Sequence, residues 1–281
     1  MQRPSIPIAI AAIVAIFVLL SHAPSAESQQ GGALVDARGP LTADEGELSF
    51  VRLEYDSVGG PQEAYYFAYG RLWQRWETDF PEAERNFSRR LTQLSRIAAN
   101  PRVSSRRLMA DDLFRFPFLY LSDVGWMDLE AEEIERFREY LARGGFVWVD
   151  DFWGDAEWGN FERVMRQVLP DTVWRELPDA HPIRNMVFEV PEIPQIPARD
   201  FAMMGQTTEP DWVHRGPAGN MVGAHLRGYF DSDGRLMVIA THNTDVGDGF
   251  EREAYGQWYF ETYSTRAYAL GVNILVYALT H

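Results

Sequence analysis

Two short apolar runs organise the chain: residues 118–121 (FLYL) and 146–149 (FVWV), each bounded by proline, glycine or polar residues. Continuous apolar runs of this length read as strands buried on both faces, as inside a parallel sheet. Between them Ile134, Phe137 and Leu141 recur at helical spacing. Asp128 stands at the expected N-cap, Glu130, Glu132 and Glu133 favour the first turn, and Gly144-Gly145 ends the segment. Strand, helix and strand joined this tightly predict a right-handed parallel crossover.

The patterning extends to either side. Residues 48–55 alternate apolar and polar positions and predict a first strand ending at Asp56. Tyr66, Tyr69, Trp73 and Trp76 fall three and four apart, which predicts an aromatic helical face over residues 62–76. Those rings either cover the sheet or form a platform for a ligand or protein partner. Residues 81–98 predict a helix with Pro81 in its first turn and a stripe of Phe87, Leu91, Leu94 and Ile97. A short helical turn is expected over 111–116 and a further helix over 160–169, closed by Pro170. His181-Pro182 and the prolines at 191, 194 and 197 predict irregular structure. Residues 221–230, the turn 231–234 and residues 235–240 read as a hairpin or adjacent strands, and 267–279 as a nearly all-apolar, buried helix.

The N-terminus has a different pattern. Arg3 precedes an apolar run, residues 6–20, broken only by Pro7, and small residues follow to Ala26. The run is short for a membrane span of about 20 residues, so a cleaved secretory signal is preferred to a retained anchor. Either way the rest of the chain is expected to be exported. Residues 1–26 are thus leader or anchor, the Gly-, Gln- and Ser-rich 27–47 a flexible linker, and 48–281 one domain.

Composition narrows the chemistry. A formal charge of -15 argues against nucleic acid and anionic lipid surfaces as partners. The absence of cysteine removes disulfides, thiolate nucleophiles and cysteine metal ligands. Every basic residue is arginine, so Schiff-base chemistry and a P-loop lysine are excluded as well.

Four predicted strands end in polar residues: Asp56; Ser122-Asp123; Asp150-Asp151; and His242-Asn243, with Asp245 just beyond. Parallel strands bring such ends to one edge, where ligands bind in open α/β sheets. His181 enters as a candidate from the irregular segment. Clustered carboxylates need a cation, an arginine, hydrogen-bond donors or a proton. Ser122, Asp123, Asp150, Asp151, Trp153, His181, Asn243 and Asp245 are the candidate ligand-binding residues. Asp150, Asp151, His181 and Asp245 are candidates for a divalent cation (Mg, Mn, Ca or Zn), and Asp150, Asp151, His181 and His242 for acid–base or nucleophilic work. Phe152, Trp153, Trp158 and Trp212 are candidate stacking surfaces. The competing role for each aspartate is capping or loop bracing; Asp151 or Asp155 suits the helix near Asn160.

Six segments together carry a family resemblance: FPFLYLSD (116–123), YLARGGFVWVDDFWG (140–154), FERVMRQVLP (161–170), LPDAHPI (177–183), RLMVIATHNTDVGDGFE (235–251) and YALGVNILVYALTH (268–281). They resemble the bacterial domain of unknown function DUF4159 over roughly residues 50–281. That resemblance implies an exported or membrane-tethered protein, periplasmic or on the outer side of the cytoplasmic membrane. It also implies a three-layer α/β sandwich with a mostly parallel sheet, similar to the class I glutamine amidotransferase-like and flavodoxin-like folds. Amidotransferases place a cysteine on the sharp turn after the strand that corresponds to 146–149. Asp150-Asp151 stand there in this chain, so thiolate-dependent glutamine hydrolysis is excluded. The expected function is non-catalytic binding of a polar ligand or envelope protein at the strand edge. The alternative is a hydrolase acting on a polar, possibly carbohydrate, substrate through an Asp/His site, with a divalent cation optional.

Overall fold

A computed structural model describes residues 47–59, 65–68, 70–210, 213–214 and 219–281. The expected leader, all but the last residue of the linker, residues 62–64, Tyr69 and Trp212 lie outside them. In chain order the elements are β1 (Val51–Glu54), β2 (Asp56–Ser57), β3 (Tyr66–Ala68), β4 (Arg71–Trp73), α1 (Glu82–Leu94), β5 (Ser104–Arg107), β6 (Phe118–Ser122) and β7 (Met127–Asp128). There follow α2 (Ala131–Ala142), β8 (Phe146–Asp150), α3 (Gly154–Val168), β9 (Arg175–Glu176), β10 (His225–Phe230), β11 (Leu236–His242), α4 (Val246–Glu251) and α5 (Thr265–Thr280).

Seven strands form the main sheet in the order β5-β1-β6-β8-β11-β10-β9. The first five are mutually parallel; β10 runs antiparallel to β11, and β9 antiparallel to β10. The two apolar runs are the central strands β6 and β8, and every side chain in both is buried. Alternation sends Leu119, Leu121, Val147 and Val149 against Phe137 and Leu141 of α2 and Phe161 and Val164 of α3. Phe118, Tyr120, Phe146 and Trp148 face the other way, against Phe87 of α1, Phe250 of α4 and Leu270 and Ile274 of α5. Helices therefore cover both faces of a mostly parallel sheet. Gly144, at φ 97°, stops α2 where glycine is favoured.

Several expectations are corrected. Residues 66–73 form an antiparallel hairpin, β3–β4, rather than a helix, because Gly70 turns the chain at φ 80° and Tyr66 pairs with Trp73. Phe67 and Leu72 are 72% and 59% exposed there, while Trp76 is buried. Helix α1 ends at Leu94, which is exposed, short of the expected 98. Glu130, not Asp128, is the N-cap of α2; its side chain and that of Glu133 form a reciprocal capping box. Asp128 lies in β7 and pairs with Arg163. Helix α3 starts at Gly154, six residues before the expected start, and its N-cap is Trp153 rather than Asp151 or Asp155. The Trp153 N–H is taken by Glu157 Oε2 (2.7 Å) and the Gly154 N–H by Asn243 Oδ1 (2.8 Å).

Candidate functional site

Three neighbouring parallel strands each hand over to a residue in the left-handed region. Asp123 (φ 57°) follows β6, Asp151 (φ 53°) follows β8 and Asn243 (φ 62°) follows β11. A fourth such residue, Asp79 (φ 63°), comes from the segment before α1. Among non-glycine residues Asp and Asn tolerate this conformation best, since their short polar side chains bond locally. The effect is to turn the chain sharply over the carboxyl edge of the sheet. Asp56 takes no part in this; it is exposed and paired with Arg107 (2.9 Å).

Asp150 is a structural knot. Its Oδ2 accepts from Tyr120 Oη (2.8 Å) and from the Gly247 N–H (2.8 Å), and its Oδ1 accepts from Thr241. Burial pushes its carboxyl up to about 6, with these donors holding it down. It joins β6, β8, β11 and α4, and so has little capacity left for a ligand.

Asp151, Asp245 and Asp79 are different. Among the described residues Asp151 accepts long bonds, from Ser122 Oγ (3.3 Å) and Trp153 Nε1 (3.4 Å). Asp245 caps α4 by accepting from the Asp248 N–H (2.6 Å). Asp79 Oδ2 is buried and, among the described residues, has no hydrogen-bond partner. Each of the three offers an oxygen within 4.8 Å of the others. All three carboxyls are pushed well above the usual range, first by burial and then by neighbouring carboxylates: Asp79 acts on Asp151, Asp151 and Asp79 on Asp245, and Asp248 on Asp79, where Arg52 and Arg252 oppose it. Arg52, itself buried, fixes the Asp79 segment by donating to the carbonyls of Trp76 (2.8 Å) and Thr78 (2.6 Å) and to Glu84 (2.6 Å).

Beside this triad lies a second acidic group. Asp123 pairs with Arg75 (3.1 Å), and burial lifts it to about 7. Glu157 and Glu209 flank His214 at 3.2 and 3.5 Å. Burial opposes charge on His214, yet the two glutamates leave its pKa raised; Glu209 is lifted by burial to about 7.

The expected histidines do not join the site. His181 caps the turn at Pro182–Arg184 through Nδ1 and packs against Tyr277 (5.2 Å). Tyr277 in turn meets Phe146 at the start of β8, whereas Asp150 is at its end. His242 accepts from Arg227 Nη1 on Nδ1 (2.9 Å) and donates from Nε2 to the Gly154 carbonyl (3.0 Å). Burial and Arg227 push it down to about 3, so it is a neutral brace. Phe152 and Trp158 pack around that imidazole, and Trp153 is buried as a wall beside Asp151. Asn243 braces loops, with Nδ2 donating to the carbonyls of Asn220 and Gly223.

Sequence patterning pointed to Ser122, Asp123, Asp151 and Asp245 but missed Asp79, Glu157, Glu209 and His214. Asp79, two residues before Pro81 at the entry to α1, carried the one local signal, a polar residue preceding a helix start. None of the curated proteins compared with this chain matches it. Residues 52–279 match the family described as Domain of unknown function (DUF4159), and the chain belongs to that family.

Proposed function

We propose that this protein is exported, through its apolar N-terminal segment, and binds a positively charged polar ligand at the carboxyl edge of its parallel sheet without transforming it. It remains in the periplasm or tethered at the outer side of the cytoplasmic membrane, its three-layer architecture akin to the class I glutamine amidotransferase-like and flavodoxin-like sandwiches. Among the described residues no helix is long and apolar enough to cross a membrane. One observation carries the binding reading: Asp79, Asp151 and Asp245 converge within 4.8 Å, and among the described residues none of them is ion-paired. Such a group favours a cation from outside the chain. The hydrolase alternative loses support because both histidines it required are committed elsewhere, His242 to Arg227 and Gly154, His181 to the opposite end of β8.

A thermal-shift panel on the purified chain tests this reading, since a ligand that binds only the native state raises apparent stability. Calcium, magnesium, manganese, arginine and spermidine form the cationic arm; citrate and neutral sugars form the control arm. At least one cation raises the midpoint in the wild type and fails to do so in Asp151→Asn. A shift from the control arm alone, or the same shift in both proteins, refutes it.

A further inference from the structure

Two acidic trios share Asp79. One is Asp79, Asp248 and Glu251; the other is Asp79, Asp151 and Asp245. In the first the chain supplies its own cation: Arg252 Nε lies 3.1 Å from Asp248 Oδ1 and 2.5 Å from Glu251 Oε2. In the second the partners are a hydroxyl, an indole N–H and a backbone N–H, all neutral. The first trio therefore shows, within the same molecule, what the second lacks.

We infer that Asp79, Asp151 and Asp245 together hold a hard divalent cation. This rests on the cationic-ligand reading above and names the ligand. Besides the acidic grouping itself, the buried Asp79 Oδ2, which shares the neighbourhood of Gly247 with Asp245 Oδ1, has no hydrogen-bond partner among the described residues. Gly247 lets two of these carboxylates approach the backbone together: a Cβ there would lie 2.6 Å from Asp79 Oδ2 and 3.4 Å from Asp245 Oδ1. Hard divalent cations such as calcium and magnesium take carboxylate oxygens grouped in this way. The trio offers only carboxylate oxygens, with neither imidazole nor thiolate, which disfavours zinc and copper. Three chain segments, the entry to α1, the end of β8 and the cap of α4, are tied together by one ion.

The test uses the full chain stripped with chelator. Terbium luminescence sensitised by nearby tryptophan, Trp153 being hydrogen-bonded to Asp151, reports the ion directly, and calcium is titrated to displace it. Calorimetry gives stoichiometry. The expected result is one ion per chain, with affinity weakened at least about tenfold in Asp79→Asn and in Asp245→Asn, the lower end of what losing even an outer partner brings. Both variants are near-isosteric and remove repulsion, so circular dichroism confirms that they fold. No binding of any divalent metal, or binding unchanged in both Asn variants, overturns the inference. If spermidine or arginine still protects the wild type through Asp151 while metals do not, the metal assignment falls and the cationic-ligand reading stands. If no cation binds, both fall.

Discussion

Replacing Arg52 with methionine removes a guanidinium that is 0% exposed and that ties Glu84 and two backbone carbonyls to β1. Methionine fills much of the same volume, so the loss is chiefly electrostatic. Removing one member of a buried ion pair costs about 3–5 kcal/mol, because the other charge is stranded. Set against a total stability of roughly 5–15 kcal/mol, that is a large fraction. For a domain of this size it corresponds to a fall in Tm of roughly 6–20 °C. Urea unfolding followed by tryptophan fluorescence measures the loss. The double variant Arg52→Met/Glu84→Gln should recover a substantial part of it, since glutamine leaves no charge behind. Arg52→Met should also weaken cation binding, because the carbonyls of Trp76 and Thr78 position the segment that delivers Asp79. A cost below about 1 kcal/mol, or no recovery in the double variant, would refute the stranded-charge reasoning.

Gly247→Ala should destabilise by about 1–3 kcal/mol even though alanine is the better helix former, since its Cβ would meet Asp79 Oδ2 at 2.6 Å and Tyr120 Oη at 2.7 Å; a stabilised variant in chemical denaturation would contradict this. His242→Phe should cost about 1–3 kcal/mol by taking the imidazole partner from Arg227 Nη1 and from the Gly154 carbonyl, while calorimetric cation binding stays unchanged because the imidazole is a brace outside the trio. The pH dependence follows from Asp123, lifted by burial from 3.8 to about 7. Between those values the folded state keeps a proton that the unfolded chain has released, so this contribution is full below pH about 4 and is lost as pH rises to about 7. Measured in chelator, the stability of the wild type relative to Asp123→Asn should therefore fall by a few kcal/mol across that window; a difference that rises with pH would be the wrong sign.

Elements whose pattern is complete within themselves were legible in the sequence. The all-apolar β6 and β8, the striped α2 between them and the turn at Gly144 appear where periodicity puts them. The carboxyl-edge position of Asp123, Asp151 and Asp245 followed from strand direction alone. What failed depended on distant partners. The early start of α3 rests on Asn243, 89 residues away, accepting the Gly154 N–H. The aromatic run at 66–76 has helical spacing, yet Gly70 lets it fold back as a hairpin. His181 looked available because nothing local reveals its packing against Tyr277 near the end of α5. Glu209 and His214 sit in stretches without periodicity, and only the tertiary fold brings them together beside Glu157.

The sheet's last strand, β9, has only two residues, Arg175 and Glu176, both exposed. A long apolar rim would offer its free N–H and C=O groups as a template for another molecule. Here the rim carries opposite charges, with Glu176 also engaged by Arg227 and His225 of β10. Strand-by-strand growth into fibres from this edge is therefore disfavoured, and a longer apolar β9 would remove that safeguard.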